Sequence, residues 1–153
     1  MPKTRASARN NTARVRRTKT MLLPMPRASA DDLALRVHLA LAAMRAGAGG
    51  LRDAQTLTQT MMLAGFMAAA GYGAVTSEQL LGAQVAISAV FDRGCDTGEW
   101  WLDDDAAGLF AVIVTTYDEQ LRRAPLWEVD AATERLDRFQ AAEAYRRTTR
   151  TLA

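Results

Sequence analysis

The sequence predicts an all-α protein: a bundle of about five helices behind a basic, flexible N-terminal arm. Three observations lead there. Alanine supplies 30 of the 153 residues and Arg outnumbers Lys 17 to 2; with Leu, Met and Gln these are good helix formers, and strand-favouring residues are few. Apolar residues recur at helical spacing in five successive segments. Charge is partitioned: residues 1–27 hold eight Lys or Arg and no acid, whereas the rest holds 11 basic and 17 acidic residues. The formal net charge of +2 is therefore a +8 arm joined to a −6 remainder.

Residues 1–20 have too little apolar surface to offset the entropy of ordering, so they read as a disordered arm or as one that orders on a partner. Pro24 and Pro26 favour extended backbone, making Met21–Arg27 a linker with Leu22 and Leu23 available to dock on the body. Residues 1–27 are thus arm and linker, and residues 28–153 one helical domain, a usual size for a single core.

The first helix is expected to open at Ser29, where Asp32 follows at capping-box spacing. Leu33, Val37, Leu41 and Met44 line one face, and Gly47, Gly49 and Gly50 end it. The second runs from about Asp53 to Ala70. Its adjacent stripes, Leu57-Met61-Ala64-Ala68 and Thr58-Met62-Gly65-Ala69, are small enough for close approach, which suggests a central helix. Gly71-Tyr72-Gly73 breaks it. The third opens on a Thr76–Gln79 capping box, carries Leu80, Ala83, Ile87, Val90 and Phe91 inward, and stops near Gly94. Residues 92–102 connect to a fourth helix capped by Asp103. There the run Val112–Thr116 is β-branched, but a lone strand has nothing to pair with, so helix is the better reading. Pro125 terminates it. The last helix runs from Val129 or Asp130 towards Arg147, and its basic end (Arg146, Arg147, Arg150) suits a helix C-terminus.

Several functions are excluded by composition. One Cys and one His cannot build an all-protein zinc site or an intramolecular disulfide. No apolar run approaches the ~20 residues that span a bilayer, and Met21-Leu22-Leu23 is too short for a secretion signal. A cytoplasmic protein is the expectation. There is no phosphate-binding glycine loop and no G-x-S-x-G. His38 and Cys95 have no nucleophile or base at a family spacing. No metal, cofactor or enzymatic activity is expected. The acidic run Asp103-Asp104-Asp105 lacks calcium-loop spacing and is explained as a helix cap with dipole partners.

Two candidate surfaces remain. The first is the arm, where Lys3, Arg5, Arg9, Arg14, Arg16, Arg17 and Lys19 alternate with hydroxyl and Asn side chains able to bind phosphate oxygens. An acidic body repels a duplex, so nucleic-acid contact is expected to be non-specific, salt-dependent and confined to the arm, with Arg146, Arg147 and Arg150 as possible additions. Thr58–Ile87 does not serve as a helix-turn-helix: its second helix has no Lys, Arg or Asn to reach bases or phosphates. The second surface is Trp100, Trp101, Asp103, Asp104 and Asp105, a candidate protein-binding face of the acidic body with one Trp expected in the core. Met61, Met62 and Phe66 are either core or a homodimer surface.

The segment from Leu33 to Phe139 resembles small helical proteins of phages and integrated elements of beta-proteobacteria, often labelled Fis-family transcriptional regulators. The resemblance rests on the Leu/Ala first helix (Leu33–Gly47), Gly71-Tyr72-Gly73, the junction Thr97-Gly98-Glu99-Trp100-Trp101-Leu102-Asp103 and the stretch Tyr117-Asp118-Glu119-Gln120-Leu121. It implies a mobile-element origin and a regulatory or accessory role. The basic C-terminal helix-turn-helix of a Fis-like protein has no counterpart here. The function expected is a non-enzymatic protein that contacts nucleic acid through its arm. The rival is an inhibitor that binds a host defence or transcription protein through its acidic body.

Overall fold

The computed structural model describes residues 19–151, and among these there is no strand. A helical turn at residues 19–22 leads into five helices: α1 (Arg27–Arg45), α2 (Leu51–Ala69), α3 (Ser77–Thr97), α4 (Asp104–Arg123) and α5 (Leu126–Thr151). The chain is all-α, as composition and periodicity predict.

Helix α2 packs against all four other helices. Its Ala54, Leu57, Met61, Ala64 and Met67 are buried, and the small side chains among them admit close neighbours. Helix α4 contributes the bulkier half of the core with Phe110, Ile113, Val114 and Leu121. The β-branched run Val112–Thr116 is helical because Ile113 and Val114 are both buried in that core; packing overrides a weak local propensity.

Boundaries follow the capping chemistry, with three corrections. Helix α1 starts at Arg27 after Pro26, with no side-chain cap, so Ser29 and Asp32 lie inside its first turns and not at its start. A proline-fixed entry replaces the expected box. Helix α3 runs past Gly94 to Thr97 and ends at Gly98 in the left-handed conformation, φ 75°. Gly94 is tolerated inside the helix because an indole ring fills the space where a side chain would stand. Helix α5 starts at Leu126, directly after Pro125, whose carbonyl accepts from the Glu128 and Val129 N–H groups; proline is well suited to a helix's first turn.

Two expected features hold in detail. The Thr76 N–H donates to Gln79 Oε1 (3.0 Å) and the Gln79 N–H donates to Thr76 Oγ1 (3.1 Å). The Ala106 N–H donates to Asp103 Oδ1 at 2.8 Å. Gly71 and Gly73 take φ values of 98° and 78° where α2 turns back. Gln120 of α4 locks that turn, its Nε2 donating to the carbonyls of Ala64 (3.0 Å) and Tyr72 (2.7 Å).

The linker is anchored more firmly than its sequence suggests. Met25 is buried, Pro24 forms a bridge with Pro125, and the Leu126 N–H donates to the Leu23 carbonyl at 2.8 Å. Leu22 and Leu23 stay more than half exposed, so docking is by backbone and by Met25.

Candidate functional site

The basic and acidic candidate surfaces fall in different places. Lys3, Arg5, Arg9, Arg14, Arg16 and Arg17 lie outside the described residues. Lys19 is exposed in the turn at 19–22, and Arg27 is exposed at the start of α1. The Leu23–Leu126 and Pro24–Pro125 contacts fix this corner to the body.

The second basic group, Arg146, Arg147 and Arg150, is exposed along the last turns of α5. Beyond Leu136 no described residue of α5 is buried, so these arginines stand on a segment that projects past the core. Arg146 pairs with Glu143 at 3.0 Å. The neighbouring hydroxyls face inward: Thr148, Thr149 and Thr151 donate to the carbonyls of Ala144, Tyr145 and Arg147. Their protons are therefore engaged within the helix. A helix C-terminus also presents partial negative charge. Any phosphate here would be held by the long guanidinium arms alone.

The structure brings the second candidate set together at the α3–α4 junction, and divides its roles. Trp100 closes the end of the core. Its ring meets Phe91 edge-on, centroids 5.7 Å apart, and lies against Gly94 so tightly that a Cβ there would fall 2.4 Å from the indole. Trp101 is 37% exposed, and the Arg93 guanidinium lies over its ring at 3.7 Å. Arg93 also donates to the Trp101 carbonyl. Leu102 is buried, with its N–H donating to the Met44 carbonyl at 3.0 Å. Asp103 caps α4, while Asp104 and Asp105 are exposed in its first turn. Among the described residues no three Asp, Glu, His or Cys side chains converge where a metal ion would sit.

Two features escaped the sequence. Arg93 braces Trp101 from eight residues away, one helix end folding over the junction. His38 lies 3.4 Å from Asp118, whose other oxygen accepts from Arg122 at 2.8 Å, and Arg122 reaches Asp31 at 2.8 Å. Asp118 holds the Arg122 guanidinium above its ordinary pKa, chiefly by hydrogen bonding and then by charge. This exposed cluster ties α1 to α4. No spacing in the sequence announces a pair 80 residues apart. No family model, curated protein or solved structure matches the chain. Among the described residues no helix is long and apolar enough to cross a membrane.

Proposed function

We propose that this chain is a non-enzymatic accessory or regulatory protein, of the kind carried by phages and mobile elements, that contacts nucleic acid non-specifically through its N-terminal arm. One observation carries the reading: the charge partition. Residues 1–27 carry +8, while residues 28–145 hold 8 basic and 17 acidic side chains, a net −9. A polyanion is drawn to the first and repelled by the second. Several of the body's arginines are already engaged, Arg36 with Asp32, Arg122 with Asp31 and Asp118, and Arg93 with Trp101. Such a protein works where nucleic acid is accessible, which agrees with a cytoplasmic setting.

The test is fluorescence anisotropy with a labelled duplex at rising salt. The full chain is compared with one in which Lys3, Arg5, Arg9, Arg14, Arg16, Arg17 and Lys19 are replaced by Gln. Binding lost with those charges supports the reading. Equal binding by both chains, or none by either, sinks it.

The rival reading, a protein-binding inhibitor, is favoured by one feature: exposed Trp101 beside Asp104 and Asp105. The clean variants are Trp101→Ala and the pair Asp104→Asn with Asp105→Asn, because Asp103 is needed as a cap and Trp100 as core. Loss of binding to a basic partner protein with unchanged circular dichroism favours this rival; loss of fold makes the cluster structural.

A further inference from the structure

Helix α5 carries one seam across two environments. Ala132 and Leu136, on the face it turns to the body, are buried. Steps of three and four residues continue that face through Phe139, Glu143, Arg146 and Arg150. The seam is apolar along the body and turns basic where the body stops, since no described residue of α5 beyond Leu136 is buried. A concavity of ≈ 580 Å³ opens against this overhang, lined among the described residues by Glu143, Arg146, Arg147, Thr149 and Arg150. Glu143 is engaged by Arg146 at 3.0 Å. Arg147 and Arg150 are exposed, and among the described residues no ion pair holds either of them.

We propose that this overhang is a second phosphate-binding element, and that duplex DNA bridges it and the arm. The inference rests on the arm's binding nucleic acid. Charge selects the occupant: residues 144–153 hold three Arg and no acid, so the concavity takes an anion and repels the arm, which is itself basic. Spacing selects a duplex. The arm's root is fixed at the start of α5, where the Leu126 N–H donates to the Leu23 carbonyl. Arg147 and Arg150 lie further along that one helix, about 32–36 Å away at ~1.5 Å per residue. One turn of duplex spans about 34–36 Å, so phosphates one turn apart on one side of it meet both elements. A single strand has no such fixed spacing. The Thr149 hydroxyl already donates to the Tyr145 carbonyl, but a guanidinium grips phosphate through its own paired N–H donors. Two free guanidiniums hold too few phosphates to bind measurably alone, so they add to the arm and do not replace it.

Anisotropy on the full chain with labelled duplexes of about 24 and about 8 base pairs tests this, because the shorter one, about 27 Å long, cannot span both elements. Arg147→Gln with Arg150→Gln should weaken binding to the long duplex roughly tenfold at about 0.1 M salt. It should also make the slope of log K against log salt shallower by about 2, leaving the arm's share. The same pair should leave the short duplex unaffected, and Lys at both positions should restore the slope. Arg138→Gln, at an exposed α5 arginine off this seam, should leave the slope unchanged. In hydrogen exchange, the long duplex and not the short one should slow the α5 amides after Leu136. Binding by the full chain with a slope that the Arg147–Arg150 pair does not alter overturns the inference and leaves the arm's role standing, whereas no binding by the full chain sinks both. An equal loss with Arg138→Gln, or on the short duplex, reduces the effect to net charge and also overturns it. So does slowing of those amides on concentrating the protein without duplex, which gives the concavity to a second copy.

Discussion

Gly94 and Gly108 both sit inside helices, yet replacing them should have opposite effects. A Cβ at Gly94 would meet three indole carbons of Trp100 at 2.4–2.5 Å, whereas at Gly108 it would meet nothing within 4 Å. Alanine normally gains up to about 1 kcal/mol over glycine in a helix. Gly108→Ala should keep most of that gain. Gly94→Ala should lose about 1–3 kcal/mol to overpacking. Urea denaturation of the two variants reads both signs. Gln120, 1% exposed, is a third informative position. Gln120→Met keeps the volume but takes the side-chain donor from the Tyr72 carbonyl, while the Ala64 carbonyl keeps its helical partner, and should cost about 1 kcal/mol. Tyr117 is buried, which pushes its hydroxyl pKa above the ordinary 10.0. Above pH 10 the unfolded chain therefore releases a proton that the folded chain retains, and stability falls with rising pH. Tyr117→Phe should remove that alkaline loss, as melting followed through pH 9–11 would show.

Helix existence was legible from pattern, helix ends at Gly47, Gly71 and Pro125 were legible from the breakers, and helix starts were legible where a side chain does the capping. Thr76 with Gln79, and Asp103 with Ala106, are local devices three residues long, and both form as spacing predicts. Ser29 with Asp32 has a similar spacing and does not cap, because Pro26 starts the helix three residues earlier. The reach of α3 through Gly94 depends on Trp100, which arrives from the next segment. Thr76→Ala should cost about 1 kcal/mol, measurable in the same urea series, whereas Ser29→Ala should be near neutral. Helix α5 shows a different limit. Its intrinsic propensity carries it to Thr151, but burial ends at Leu136. A helical segment of about 15 residues without tertiary support is marginal. Hydrogen exchange should find the α5 amides after Leu136 opening far more readily than those of α2.

At the scale of the whole molecule, charge partition was fully legible, since it needs only counting. The assembly of the acidic end was half legible. The Trp pair was visible and one Trp was expected in the core. The brace by Arg93, and the fact that Trp101 is the outer ring, depend on how α3 folds over the junction. The His38–Asp118–Arg122–Asp31 cluster was invisible because only the packing of α1 on α4 creates it. These contacts leave the folded body acidic, with its nearest basic group on the projecting end of α5, where the threonine hydroxyls are already engaged. The proposed polyanion ligand is therefore the arm, which joins the body at Pro24 and the buried Met25.

The slope of duplex affinity against salt tests that claim most directly. If the arm's seven charges from Lys3 to Lys19 engage phosphates, log K should fall against log salt with a slope approaching about −6. The chain with those seven residues replaced by Gln should show no measurable binding. A substituted chain that keeps both affinity and slope would place the contact on the folded body and contradict the account.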